Sequence, residues 1–235
     1  MNRTINALTL SDVAKTFTMH LQGGLRLPVL RNVNFAAALG QCVVLTGPSG
    51  AGKSSILKLI YGNYRCDHGR ILVSAGDNTV DIAAAAPREI LAVRRRALGY
   101  VTQFLRAVPR VSALYTVAEP LILKGAPRED ATARAAMMLR RFNVPERLWS
   151  LPPATFSGGE QQRINLARGL LPEHPILLLD EPTASLDADN RVVVVDIIRE
   201  RKAQGVAIVA IVHDESVRDE IADVGVDVTY FATAE

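Results

Sequence analysis

One octapeptide limits the folds open to this chain more than any other stretch: Gly47-Pro48-Ser49-Gly50-Ala51-Gly52-Lys53-Ser54. The apolar run Cys42-Val43-Val44-Leu45 precedes it, and Ser55-Ile56-Leu57-Lys58-Leu59-Ile60 follows with helical periodicity. Strand, glycine-rich loop and helix in that order make a phosphate cradle. Glycines let backbone N–H groups converge on a phosphate, because a Cβ would block the approach. The helix behind them offers unpaired N–H groups and the positive end of its dipole. In such a loop Lys53 reaches the β- and γ-phosphates, and the Ser54 hydroxyl ligates Mg²⁺. Residues 47–55, Ser55 included, are the expected nucleotide-binding positions. The competing reading, a Gly/Ser-rich turn with no ligand, is disfavoured by the complete spacing and the correct flanks.

Composition sets wider bounds. A chain of 235 residues sits at the upper end of one domain, so one domain with embedded subdomains is expected. Hydrophobic residues make up 49% and aromatics only 5%, so aliphatic side chains must fill the core. The formal net charge of +3, from 27 basic and 24 acidic residues, is too small to argue for nucleic acid or anionic lipid. No nucleic-acid partner is expected. Two cysteines, Cys42 and Cys66, cannot build a disulfide framework, which fits a reducing, cytoplasmic setting. The first residues lack the apolar run of a signal peptide, and no window reaches the length of a membrane span. Any membrane association is therefore expected through a partner.

Taken in order, residues 5–19 read as strand, and Gly23-Gly24 separates Thr16–Gln22 from Leu25–Leu30 as a hairpin. Pro28 points to a sheet edge. A second hairpin is expected where Gly76-Asp77-Asn78 divides Arg70–Ser74 from Thr79–Ile82. Residues 87–97 read as helix, with Arg94-Arg95-Arg96 suited to its C-terminal dipole end. Leu98–Val101 is a short strand ending at Thr102-Gln103. Helices are expected over 113–124, 127–142 and 145–151, with Pro127 and Pro145 in first turns. Further on, Ser157-Gly158-Gly159-Glu160 opens a helix that Pro172 ends. Ile176–Leu179 and Val206–Val212 read as buried parallel strands, with a helix over 192–202 between them. The last candidate strand is Val226–Phe231.

The strand ending in Asp180-Glu181 is the partner that a phosphate loop needs. One carboxylate at a strand tip can hold Mg²⁺, and a second can orient or deprotonate a water. Asp180 is assigned to metal and Glu181 to the water. Ser157-Gly158-Gly159-Glu160 carries two readings. Ser followed three residues later by Glu is a capping box, which needs no ligand. Two consecutive glycines are not required by that device, and they suit a helix end that must approach a phosphate.

Phe156-Ser157-Gly158-Gly159-Glu160-Gln161-Gln162-Arg163 resembles the signature motif of ABC-type ATPases. Pro182 to Asp187 resembles the family's D-loop, Gln103 its Q-loop glutamine, His213 its switch histidine, and Phe17 the aromatic that stacks on adenine. Phe156 for the usual Leu and Glu160 for the usual Gln are the departures. The resemblance implies an α/β fold of the P-loop NTPase, ABC ATPase type. A parallel-sheet core would carry an antiparallel β subdomain and an inserted helical subdomain. That makes a single domain over 1–235, with the core at 1–103 and 157–235 and the helical insertion at about 104–156. It also implies ATP and Mg²⁺ as cofactors. Gln103 would reach Mg²⁺ or the attacking water, and His213 the γ-phosphate. A lone His after a strand is otherwise an ordinary turn residue. Ser157, Gly158, Gly159, Glu160 and Asp187 would face the phosphate loop of a second subunit, in an ATP-dependent homodimer or a heterodimer with a related subunit.

A narrower resemblance rests on Lys15–Phe17, Leu25–Leu30, Gln103–Arg106, Pro109–Leu114 and Asn143–Trp149. These are similar to the PhnL family, ATP-binding subunits of the bacterial phosphonate carbon–phosphorus lyase system. That family is linked to the step joining a phosphonate to the ribose of ATP, which forms a ribose 1-phosphonate 5-triphosphate. The resemblance implies carbon–phosphorus lyase subunits as partners, with ATP hydrolysis driving their assembly or rearrangement. The alternative expectation is the nucleotide-binding subunit of a membrane ABC transporter, and a third is a nucleotide-gated clamp that hydrolyses little.

Overall fold

A computed structural model describes residues 5–232 except 77 and 107. The strands form two sheets. The first, antiparallel, is built from β1 (Asn6–Met19), β2 (Leu25–Ala38), β4 (His68–Ala75) and β5 (Asn78–Asp81), in the order β2-β1-β4-β5. Pro28 falls on β2, an edge strand, where a missing N–H is tolerated. The second is parallel: β3 (Cys42–Thr46), β6 (Leu98–Val101), β7 (Ile176–Asp180), β8 (Ala207–Ile211) and β9 (Val224–Asp227), in the order β6-β7-β8-β3-β9.

Strand alternation splits the core between two layers. Val43, Leu45, Leu178 and Val209 face α1 (Lys53–Ile60), α2 (Pro87–Arg96) and the antiparallel sheet. Cys42, Val44, Leu177, Leu179 and Ala210 face the opposite layer. That layer contains α3 (Ala113–Leu123), α4 (Arg128–Arg141), α5 (Gly158–Leu170), α6 (Ala188–Ala203) and α7 (Glu215–Ile221). Both faces of β3, β7 and β8 are covered, which is why these strands read as unbroken apolar runs. Burial pushes the Cys42 thiol up to about 12, so it is an inert core group.

Some elements differ from the sequence expectation. The expected helix over 145–151 is only a 3-10 turn at Glu146–Leu148, and Pro127 and Pro145 sit one position before their helices as caps. The last strand is Val224–Asp227. Beyond it the Asp227 carboxylate accepts from Thr229 N and Oγ1, which bends Val228–Phe231 into a 3-10 turn. The helix expected over 192–202 starts at Ala188 and runs to Ala203.

One glycine shows how tightly the antiparallel sheet is built. The β1–β4 pairing jumps between Ser11 and Ala14, with Asp12 at φ +52°, and Gly69 lies opposite this bulge at φ +92°. A Cβ there would strike the backbone carbonyls of Ser11 and Asp12. Gly69→Ala is therefore expected to cost about 1–3 kcal/mol. In a thermal melt each kcal/mol lowers Tm by roughly 2–4 °C for a chain of this size.

Candidate functional site

Sheet register assembles the site. Leu45 pairs with Ile211, Ile211 with Asp180, and Val101 with Leu179. The segments leaving β3, β8, β7 and β6 thus emerge side by side at the carboxyl edge of the parallel sheet, where open α/β sheets bind ligands. These segments carry the phosphate loop, His213, Glu181 and Gln103.

Gly52 ends the loop at φ +97°, and a Cβ there would meet Leu30 Cδ2 at 2.8 Å. Only glycine lets the loop lie this close to β2. Lys53, 7% exposed, donates to the carbonyls of Gly47 and Pro48 at 2.7 Å each. Burial pulls its pKa below the usual lysine range, while Glu181 and Asp180 oppose that shift. A cavity of about 330 Å³ opens here, lined among others by Ser49, Gly50, Lys53, Ser54, Glu181 and His213. Ser55 also lines it.

Two carboxylates stand at the tip of β7 in different surroundings. Asp180 is 4% exposed; Ser54 Oγ donates to its Oδ1 at 3.0 Å and the Tyr100 hydroxyl to its Oδ2 at 3.2 Å. Burial raises its pKa, and the two hydrogen bonds oppose the rise. Glu181 has φ +53°, a backbone state that costs about 1–3 kcal/mol outside glycine and persists where its surroundings hold it. Gln103 Nε2 donates to its Oε2 at 3.0 Å, and His213 Nε2 lies 3.0 Å from its Oε1. Gln103 is therefore hydrogen-bonded to the Glu181 carboxylate, while it lines one cavity with Ser54 and Asp180.

The donor set at Ser54 and Asp180 fits Mg²⁺. It offers a hydroxyl and a buried carboxylate, both hard oxygen ligands, and the carboxylate's burial calls for a compensating cation. Among the described residues no group of three or more His, Cys, Asp or Glu could hold a metal.

The remaining expected residues lie apart. Ser157 and Glu160 make the capping box: Ser157 Oγ accepts from Glu160 N at 3.4 Å, and Glu160 Oε2 accepts from Ser157 N at 2.9 Å. The Ser157 hydroxyl bond holds the Glu160 carboxyl below its usual range. Gly159 has a packing reason, since its Cβ would sit 3.2 Å from Ser185 O. Gly158 has none: its Cβ would meet nothing within 4 Å. Asp187 caps α6 by accepting from Asn190 N at 2.8 Å. None of residues 157–160 lines the cavity around Lys53. Phe17 is half-buried on β1, edge-on to Tyr64 at 5.1 Å, with Lys15 Nζ 5.3 Å from its ring centre.

Three side chains were missed by the sequence reading. Gln162 Nε2, buried on α5, donates to Glu181 O and Pro182 O at 3.4 Å each, which supports the strained turn. Asn165, one turn on, donates to Thr102 O beside Gln103. Two polar residues at i and i+3 bordering an apolar stripe were the available signal. Tyr100 was passed over as strand filling. Its register partner Leu178, two residues before Asp180, marked the place.

Residues 30–184, more than half of the chain, match the ABC transporter family. The chain belongs to that family. The cassette is 39% identical over 189 residues to the lipoprotein-releasing system ATP-binding protein LolD of Maricaulis maris (strain MCS10), covering 80% of each chain. It is 35% identical over 189 residues to the pyoverdine export ATP-binding/permease protein PvdT of Pseudomonas syringae pv. syringae, covering 80% of this chain and 28% of that one. The dimeric post-hydrolysis state of the ATP-binding cassette MJ0796, bound to ADP and Pi, superposes with a TM-score of 0.84 at 30% identity, over 94% of this chain and 95% of that one. The ABC ATPase fold expected from the motifs is thus the fold of this cassette. The two named relatives serve release and export systems, and neither supports the phosphonate assignment.

Proposed function

We propose that the cassette hydrolyses ATP as one half of a head-to-tail dimer, each phosphate loop meeting Ser157-Gly158-Gly159 of the other copy. The observation that carries the hydrolytic part is the Glu181 carboxylate, held between Gln103 and His213 beside Lys53. In this reading Lys53 exchanges the Gly47 and Pro48 carbonyls for phosphate oxygens. Glu181 orients the attacking water and takes its proton, and His213 hydrogen-bonds the γ-phosphate. Mg²⁺, when bound at Ser54 and Asp180, offsets charge on the β- and γ-phosphates. Phe17 offers a ring face to adenine. The split site is supported by Gly158, a bare glycine that the chain's own packing does not require, and by the dimeric state of the similar cassette MJ0796.

The helical segment at about 104–156 is proposed as the part that passes closure to a partner. A cavity of about 470 Å³ runs outward from Ser54 and Asp180 past Lys58, Gln103, Phe104 and Arg106. A neighbouring one, sharing Tyr61, Tyr100 and Arg168, adds Arg94, Arg95 and Lys124. Phe104 is 73% exposed at this groove. An acidic segment with an apolar anchor would match it. The LolD and PvdT likenesses favour a membrane permease as its source. Among the described residues no helix is long and apolar enough to cross a membrane, so the spans would come from that partner.

A phosphonate-processing complex is the second reading, and it rests on the sequence resemblance of Pro109–Leu114 and Asn143–Trp149 to the PhnL family. Those two segments are joined: Leu114 N donates to Trp149 O, and within the second Trp149 Nε1 donates to Val144 O. Affinity purification of the tagged chain from membranes and from cytosol separates the readings. Recovery of a permease supports the first, and recovery of carbon–phosphorus lyase subunits in the cytosol supports the second. Under either, Arg95→Glu with Arg106→Glu should lower partner-stimulated ATPase by about tenfold or more while basal ATPase stays near wild type.

A further inference from the structure

Asp180 is reached from two sides. Ser54 Oγ bonds Oδ1, the oxygen on the loop side, while the Tyr100 hydroxyl bonds Oδ2 from β6. The tyrosine is itself fixed. Its ring packs on Tyr61 with centroids 5.1 Å apart, and Arg94 lies 4.4 Å from the Tyr61 ring centre while its Nε donates to Tyr61 O at 2.7 Å. Arg94 also donates to Asn63 Oδ1 at 2.9 Å. A stack of Arg94, Tyr61 and Tyr100 thus ends on one oxygen of the Asp180 carboxyl group, to which the phenol donates.

We propose that Tyr100 is a positioning residue for the metal site, holding Oδ2 of Asp180 so that Oδ1 stays turned to the metal beside Ser54. The inference rests on the reading of Ser54 and Asp180 as the Mg²⁺ ligands. Outer partners of ligating carboxylates fix ligand orientation, and their loss typically weakens metal affinity by about 10- to 100-fold. Phenylalanine at position 100 keeps the ring against Tyr61 and removes only the hydroxyl. The groove proposed for the partner is floored by the same ring, so a segment seated there touches the group that orients Asp180.

The test is Mn²⁺ binding to the nucleotide-loaded protein, followed by electron paramagnetic resonance, with ATP affinity in EDTA measured alongside. Tyr100→Phe should weaken Mn²⁺ binding by about tenfold or more and leave metal-free ATP affinity unchanged. The Mg²⁺ midpoint for ATPase should rise by the same factor. Tyr61→Phe keeps the ring stack, and its hydroxyl makes no hydrogen bond among the described residues, so it should bind Mn²⁺ as wild type. Unchanged Mn²⁺ affinity in Tyr100→Phe overturns the proposal, as does an equal loss in EDTA, which would mean general damage to the nucleotide site. If Asp180→Asn also binds Mn²⁺ normally, the underlying assignment of the ligand fails, and not the role of Tyr100 alone.

Discussion

Glu181→Gln should bind ATP with near-wild-type affinity, turn over at least about 10²-fold more slowly, and accumulate as an ATP-bound dimer. The amide keeps the shape of the side chain and the left-handed backbone of the turn, so Gln162 still supports it. It keeps an oxygen for the Gln103 amide but cannot accept a proton from water. Binding and chemistry therefore separate at this residue. Lys53→Ala should do the opposite and abolish ATP binding, because it removes the ammonium that spans the loop carbonyls and is placed to meet phosphate. Equilibrium nucleotide binding and gel filtration with ATP read the first effects, and steady-state ATPase reads the second. Near-normal hydrolysis by Glu181→Gln would remove Glu181 from the role of base.

Gly158→Asp should leave the monomer stable and able to bind ATP, yet abolish ATP-dependent dimerisation and reduce ATPase by at least about 10²-fold. Inside one chain the substitution is benign. A Cβ at 158 meets nothing within 4 Å, and a carboxylate in the first turn of α5 is favoured by the helix dipole. The damage arises only if this helix end must approach the phosphates of a second copy, where a negative charge repels. Thermal stability near wild type together with lost dimerisation is the expected signature. A drop in both would mean that Gly158 serves the fold of its own chain.

The nucleotide half of the site was legible because its chemistry is local. Residues 47–55 form one loop, and the apolar run before Asp180-Glu181 could only be a buried strand. The gathering of Gln103, Glu181 and His213 was legible only through family resemblance, since their meeting depends on the order β6-β7-β8-β3, which no local pattern encodes. Local polar side chains that override propensity were the main source of error. Val226–Phe231 is rich in strand-forming residues, but the Asp227 carboxylate captures Thr229 and turns the chain. The short helix α7 went unread because it spans only seven residues and its cap, Asp214, which accepts from Ser216 N and Val217 N, follows closely on a buried strand. Likewise Asp187, read only as a nucleotide-facing residue, sets the true start of α6. Tyr100 was hidden by its aromatic ring, which reads as strand packing while its hydroxyl serves Asp180.

The split site has one direct test, the mixing of two inactive variants. A two-fold dimer places each loop against the other copy's signature helix, so it contains two equivalent composite sites. In a mixed dimer of Lys53→Ala and Gly158→Asp, one site collects both defects and the other has neither. Each variant alone should be inactive and unable to dimerise with ATP, and an equimolar mixture should recover up to about half of wild-type ATPase, since only mixed dimers form and each has one sound site of two. If mixed dimers form, as shown by pull-down through two different tags, and the mixture stays as inactive as its parents, the two halves do not come from different subunits.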